Sequence, residues 1–213
     1  MSESFKLIVI SSTDGFEHEI HHVQQMFEEG LELFHLRKPK FSTRKMREYL
    51  ERISSEYHSR IVIHSHHELA ARFSLRGIHF TRKHLRKNFA FNWLRLQYLR
   101  LAKKKLHIST GFHTLSDLKV RNKRYDYVFL SPIFPSVSKI GYASSFNKDS
   151  LREVLNRTSY NVIALGGIDE DNIEQAREWG FDGVAALGSI WRAKDPVEKF
   201  KQLKVRCTQL VNT

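Results

Sequence analysis

The amino-acid sequence predicts an α/β protein, a single-domain (β/α)8 TIM barrel, and three observations carry that reading. Eight short apolar runs of strand length recur along 213 residues, separated by longer segments with helical spacing of their apolar positions. Three of these runs, near Ser131, Leu165 and Leu187, lead straight into glycine-, proline- or serine-rich turns, as strands that end at a site do. No Gly/Ser/Pro-rich linker or internal repeat breaks the series, and a chain of this length with 41% hydrophobic content fills one sizeable core.

The strands are expected at residues 6–11, 33–37, 60–64, 77–80, 105–109, 127–131, 161–165 and 183–187. Helix punctuation lies between them. Ser42-Thr43 opens a helix expected to run to about Tyr57, Thr114 and Asp117 stand at capping-box spacing, and Asp169 leads into a helix that ends near Trp179-Gly180. Residues 82–91 show no clean period and read as a basic loop before a helix around residues 93–102.

Composition narrows the class. No run of roughly 18 or more apolar residues exists, and the start, Met1-Ser-Glu-Ser-Phe-Lys6, lacks the order of a secretory signal. A cytoplasmic protein without a membrane partner is expected. The lone cysteine, Cys207, allows neither an internal disulfide nor a cysteine-based zinc site and reads as a buried thiol. A formal charge of +12 favours anionic partners through long-range attraction. The basic residues, such as Arg44, Lys45, Arg47, Arg95, Arg100 and Lys103, are scattered over helical faces without glycine and aromatic interleaving. The expected partner is therefore a small phosphorylated ligand rather than nucleic acid, with a homodimer left open.

In such a barrel the loops after the C-terminal strand ends build the site, and those after the last two strands hold phosphate. Gly167 after the seventh strand, with Gly188 and Ser189 at a helix start after the eighth, are the expected phosphate-binding residues. The sixth strand enters a rigid, hydroxyl-rich loop whose Ser136, Ser138 and Lys139 are placed to contact phosphate or close over a ligand. Arg37, at the end of the second strand, suits a substrate carboxylate through paired hydrogen bonds. His113, after the fifth strand, is the candidate general acid/base, because an imidazole titrates near neutrality. His35 and His64 are further substrate contacts at the mouth. The run His64-Ser-His66-His67 has a spacing that zinc or copper accepts, but only Glu68 stands near to complete a ligand set, so no metal is expected. His35, His79 and His107 are expected to hydrogen-bond within or at the ends of strands.

These motifs resemble, over nearly the whole chain, the family of thiamine phosphate synthase and its relative the thiazole tautomerase. The family's Gly-Pro-Ile-Phe-Pro-Thr-x-Thr-Lys pattern is matched by Ser131-Pro-Ile-Phe-Pro-Ser-Val-Ser-Lys139, and its Ala-Leu/Ile-Gly-Gly-Ile by Ala164-Leu-Gly-Gly-Ile168. Its Gln-x-Arg-x-Lys is partly matched by His35-Leu-Arg37, with Pro39 at the lysine position and Lys40 one place late. The resemblance implies a TIM barrel and a thiazole phosphate ligand.

The departures bear on activity. The synthase, as the resemblance implies, joins a pyrimidine pyrophosphate to a thiazole phosphate and uses aspartates after the third and fourth strands to hold Mg2+. Those positions are Ser65, in Ile63-His-Ser-His66, and His84, in Gly77-Ile-His-Phe-Thr-Arg-Lys-His84, while Gly111 replaces the serine of a Gly-x-Ser-x-His motif. Serine and imidazole are poor substitutes for carboxylate on magnesium. The expectation is therefore an enzyme without a cofactor that moves protons as the tautomerase does, its histidine after the fifth strand being His113. The alternatives are a divergent Mg2+-using synthase, with Arg82, Lys83 and His84 holding pyrophosphate, and a non-catalytic phosphate-ligand binding protein.

Overall fold

The computed structural model describes residues 5–13, 15, 18–81, 106–119, 125–135 and 146–209. Eight parallel strands close into a barrel in chain order: β1 Lys6–Ile10, β2 Leu33–Leu36, β3 Ile61–Ile63, β4 Gly77–Phe80, β5 His107–Phe112, β6 Tyr127–Leu130, β7 Val162–Leu165 and β8 Gly183–Ala186. The seam pairs Ile8 with Ala185 and Val9 with Ala186, so β1 has β8 on one side and β2 on the other. A closed sheet leaves no unpaired edge.

Around the barrel lie α1 Glu19–Glu28, α2 Thr43–Glu51, α3 Leu69–Arg72, α4 Leu115–Lys119, α5 Lys148–Arg157, α6 Ile173–Glu178, α7 Gly188–Trp191 and α8 Pro196–Gln209. None of the described helices is long and apolar enough to cross a membrane.

Alternation along each strand separates two cores. Val9, Phe34, Leu36, Ile61, Ile63, Ile78, Val128, Leu130, Val162, Ala164 and Val184 face the helices, where they join Met26, Phe27, Leu50 and Phe200. The intervening residues face the barrel axis. Those of β1, β6, β7 and β8 make an apolar cluster of Ile8, Ile10, Tyr127, Phe129, Ile163 and Ala185. On β2, β3 and β4 the same phase carries His35, Val62 and His79, and His64 continues it just past the end of β3. One side of the interior is thus polar.

At the strand starts, aspartates satisfy amides that the sheet leaves open. Asp126 accepts from the Ile108 N–H at 2.7 Å and Asp182 from the Val162 N–H at 2.6 Å. Cys207 is buried among apolar side chains, and burial pushes its thiol up to about 12.

Most expected elements are present with ends moved by one or two residues, and two differ more. The fifth strand begins at His107 and continues through Phe112, so His113 follows it directly. The helix opened by Ser42 stops at Glu51, and a separate 3-10 turn occupies Ser55–Arg60. Ser54 donates its N–H to Gln24 and its hydroxyl to Glu56, and the buried His58 ring covers the carbonyls of Leu50 and Ile53 at 3.1 and 3.2 Å. These side chains replace the hydrogen bonds that further helix would have made. Thr114 and Asp117 do form a reciprocal cap, and Gly180 ends α6 with φ +97. The basic stretch at residues 82–91 and the helix expected at 93–102 lie outside the described residues.

One buried ion pair ties β2 to α1. Lys38 Nζ lies 2.5 Å from Glu19 Oε2 with only 2% and 4% of the two side chains exposed, and it also donates to the Ser12 carbonyl at 2.6 Å. Glu19 in turn accepts from the Ser12 N–H at 2.7 Å. Burial raises the Glu19 carboxyl above its usual range despite the Lys38 ammonium beside it. Removing one partner leaves a buried charge alone, so Lys38→Ala should lose about 3–5 kcal/mol in denaturant unfolding. The double change Lys38→Met with Glu19→Gln, which leaves no charge behind, should recover most of that loss.

Candidate functional site

Two adjoining chambers open at the C-terminal end of the barrel. The first, about 490 Å³, is walled by Gly167, Asp169, Gly188, Ser189, Arg192 and Lys199, among others. Its two glycine turns do different things. Gly166 and Gly167 have φ of +97 and +67, and a Cβ on Gly167 would come within 2.6 Å of the Pro135 carbonyl and 2.7 Å of that of Phe134. The backbone therefore needs glycine there to pack the seventh loop on the sixth, joined by hydrogen bonds from Ile133 N to Leu165 O and from Phe134 N to Gly166 O, both 3.0 Å.

Gly188 has no atom within 4 Å of where a Cβ would lie. It opens α7 with a bare backbone toward the chamber. Next to it, Ser189 Oγ is buried with no hydrogen-bond partner among the described residues. A buried hydroxyl without a partner costs free energy that an incoming acceptor would return. Lys199 is spoken for: hydrogen bonds with Asp169 and Glu170 hold its ammonium above the usual range although burial opposes its charge. Arg192 has no ion pair with a described residue, which leaves its guanidinium to an anion.

The second chamber, about 320 Å³, is lined by Arg37, His64, His79, Thr81, His113 and Ser131 together with apolar side chains. Leu165 and Leu187 line both chambers, so one elongated ligand can occupy the two. His113 Nδ1 lies 2.8 Å from the Ser131 carbonyl, which can only accept, so Nδ1 carries a proton and in the neutral ring the lone pair is on Nε2. Asp117 fixes the turn by accepting from the N–H groups of His113 and Thr114 at 3.2 and 3.1 Å. His113 thus both belongs to a helix start and presents a basic nitrogen at the mouth. The Arg37 backbone is fixed from both sides by Ser11 Oγ at 2.8 and 3.0 Å, and its side chain is exposed at the chamber wall.

Below the second chamber the polar side of the barrel forms a floor of imidazoles. His35, fully buried, lies between Tyr127, with Nε2 to Oη at 2.6 Å, and His64, with Nδ1 to Nε2 at 2.9 Å. His64 stacks on His79 with ring centroids 4.1 Å apart, and His79 Nδ1 meets Ser109 Oγ at 2.9 Å. Burial, reinforced by the neighbouring His79, drives the His35 and His64 imidazoles well below their usual range and keeps them neutral.

Of the residues expected from sequence, Gly167, Gly188 and Ser189 come together in the first chamber, and Arg37, His64 and His113 in the second. His35 lies one layer deeper, beneath the His64, His79 and Phe129 rings that line the chamber. Ser136, Ser138 and Lys139 are outside the described residues. The His64-Ser-His66-His67 run does not converge: His66, at φ +54, turns away to Thr43 and the Phe41 carbonyl, both at 2.8 Å, and His67 meets the carbonyl of His79 at 3.2 Å. Convergence comes instead from His35, His64 and His79, on or just past the end of three successive strands. Lys38, beside the expected Arg37, is turned into the buried pair with Glu19.

The sequence profile described as thiamine monophosphate synthase matches residues 6–190. The chain belongs to the thiamine monophosphate synthase family. A solved structure titled thiamine phosphate pyrophosphorylase from Bacteroides thetaiotaomicron is 32% identical, covers 95% of this chain and 97% of its own, and superposes with a TM-score of 0.75. Among curated relatives, the thiamine-phosphate synthase of Clostridium tetani is 25% identical over 82% of this chain and 81% of its own length. That of Pyrococcus abyssi is 24% identical over 95% and 94%. The Pyrococcus furiosus structure, 19% identical with a TM-score of 0.76, supports the barrel fold alone.

Set against the magnesium implied for this family, the donor set does not fit. No carboxylate is found among the described residues lining the second chamber, Ser65 stands where an aspartate is expected, and His84 lies outside the described residues. Mg2+ takes hard anionic oxygens, and what this chamber offers is imidazole nitrogen.

The neutral buried imidazoles give a pH dependence. The unfolded chain protonates each histidine near pH 6.5 while the folded chain resists to lower pH, so below about 6.5 the unfolded state binds more protons. Stability should be level above about pH 7 and fall as the pH drops below 6.5. Chemical denaturation across pH 5–8 checks this, and His64→Asn should show a shallower acid slope than the parent.

Proposed function

We propose that this chain binds a thiazole phosphate with its phosphate in the first chamber and its ring reaching over Leu165 and Leu187, and joins it to a pyrimidine pyrophosphate with release of pyrophosphate. The observation that carries this reading is the continuity of the two chambers. One end offers the Gly188 backbone, an unpaired Ser189 hydroxyl and Arg192, and the other offers Arg37 and histidines. The names of relatives matched along nearly the whole chain support coupling over other reactions of phosphorylated ligands. In this reading Arg37 supplies positive charge to the departing pyrophosphate, a task that a guanidinium suits by paired hydrogen bonds.

A second reading has its own support. In its neutral form His113 holds its proton on Nδ1 and a lone pair on Nε2 at the chamber wall, the arrangement needed to take a proton from one ring atom and return it at another. With no carboxylate lining the chamber among the described residues, metal-free proton transfer on a carboxythiazole phosphate, its carboxylate on Arg37, fits the same residues.

The assay separates them. Incubation with both synthase substrates should give coupled product at a rate that omission of Mg2+ leaves within about twofold, and His113→Asn should retain most of it. Product only from the tautomeric precursor, lost in His113→Asn, would replace coupling by proton transfer, and binding without turnover of either would leave a phosphate-ligand binding protein. The phosphate end has an independent check: Gly188→Asp, placed where a Cβ meets nothing, should keep the unfolding midpoint. Losing charge-assisted hydrogen bonds worth roughly 1.5–3 kcal/mol, it should weaken calorimetric binding of thiazole phosphate by about 10–100-fold.

A further inference from the structure

We propose that His35, His64 and His79 form a three-imidazole site for a divalent transition ion of the zinc type, on the barrel axis directly beneath the second chamber. This goes beyond the function proposed above and does not depend on it. One nitrogen from each of the three residues can be chosen so that all lie within 4.8 Å of one another, and all three side chains are buried. Zinc–imidazole bonds of about 2.0–2.1 Å in tetrahedral array place nitrogens roughly 3.4 Å apart. The 2.9 Å between His35 Nδ1 and His64 Nε2 lies below that value and the whole set stays within 4.8 Å, so an ion would spread the first pair and turn the stacked His64 and His79 rings, whose centroids now lie 4.1 Å apart, until their in-plane lone pairs meet.

The surroundings are those of a ligand set rather than of a packed core. A metal-bound histidine commonly donates its remote N–H to a neighbour that fixes ring and tautomer. Here His35 Nε2 reaches the Tyr127 hydroxyl at 2.6 Å and His79 Nδ1 reaches Ser109 Oγ at 2.9 Å, so His35 Nδ1, which now meets His64 Nε2, and His79 Nε2 are the nitrogens on the far side of each ring from those hydroxyls. His64 uses one nitrogen on His35, and its other, Nδ1, is buried with no partner among the described residues. That orphan is unexplained by the protein's own hydrogen bonds.

The site has one open side. Phe129 closes it laterally, with ring centroids 4.9 Å from His35 and 5.3 Å from His79. His64 and His79 line the second chamber above. Three protein ligands with the fourth position facing a ligand chamber is the pattern of an ion that exchanges water for substrate oxygen. Three neutral imidazoles leave the ion its full double charge, so its natural fourth ligand is an anionic oxygen, of phosphate or pyrophosphate. Imidazole nitrogens select zinc, cobalt, nickel or copper over magnesium.

The test uses the intact protein, stripped with chelator and titrated with Co2+. One equivalent per chain should bind and produce visible d–d absorption of tetrahedral intensity, displaced by Zn2+ and unchanged by a large excess of Mg2+. His79→Phe should abolish the signal. Tyr127→Phe, which keeps the ring but removes the hydroxyl behind His35, should weaken Co2+ affinity on the order of 10–100-fold while circular dichroism stays that of the parent. Absence of stoichiometric uptake by the parent would overturn the proposal, and so would uptake that His79→Phe leaves intact, which would assign the ion to surface histidines such as His21 and His22. Because metal uptake is read without substrate, its failure is distinguishable from failure of the coupling reaction.

Discussion

The two-residue alternation of a closed parallel sheet is the constraint on which this molecule rests. Every strand residue faces either the helices or the barrel axis, and closure removes any third environment. The helix-facing positions are aliphatic or aromatic on every strand except for Thr110 on β5, whose hydroxyl is spent on the Phe80 carbonyl, so the shell of helices packs on an apolar surface. This frees the axis-facing positions to vary. On β1, β6, β7 and β8 they are apolar and wedge the barrel open from one side, whereas on β2, on β4 and just past the end of β3 they carry imidazoles. A polar interior of this kind is tolerable only because its members satisfy one another, in the chain Tyr127, His35, His64 and the branch His79, Ser109.

Rigid strand ends then place the loops. The sixth and seventh loops lock together backbone to backbone, at a distance that only glycine permits at Gly167. Loop seven can therefore form one wall of the first chamber without a flexible side chain holding it. The eighth strand ends differently: its glycine touches nothing and leaves space. One sequence feature, a glycine at a strand end, thus has two physical causes, close packing in one loop and access for a ligand in the other. Trp191 secures the second arrangement by donating its indole N–H to the Ile10 carbonyl at 2.7 Å, tying α7 to the strand across the barrel seam.

Much of this was legible in the sequence, and the failures have local causes. The eight strands were readable because parallel strands buried on both faces are short apolar runs between helical periods. The end of α2 was not, because what stops it is contact with Gln24 and the fold of His58 back onto Leu50, both tertiary. Strand five runs past its apolar residues because Thr110, though polar, is buried with its hydroxyl on the Phe80 carbonyl at 2.8 Å, a tertiary contact. Proximity in sequence drew attention to His64, His66 and His67. The strand phase carried the better signal: β3 and β4 pair Ile63 with Ile78, which sets His64 beside His79. A barrel brings together what stands at one layer of neighbouring strands, not what stands side by side in the chain.

The balance of charge at the mouth connects the two ends of the site. Binding a phosphorylated ligand through a magnesium ion requires carboxylates to hold the cation, which in turn repel the ligand until the cation is present. Here Arg37 and Arg192 face the chambers directly, and no acidic side chain lines the second chamber among the described residues. The two arginines give the mouth a positive field of its own, in keeping with the chain's excess of positive charge. Neutral imidazoles beneath it are compatible with that field in a way carboxylates are not: they leave the cationic mouth undiluted, and burial keeps them unprotonated so that they add no repulsion of their own toward a divalent ion. Under the function proposed above, arginine at the mouth and imidazole below it form one coherent way of managing the ligand's negative charge without carboxylates, not a set of separate losses.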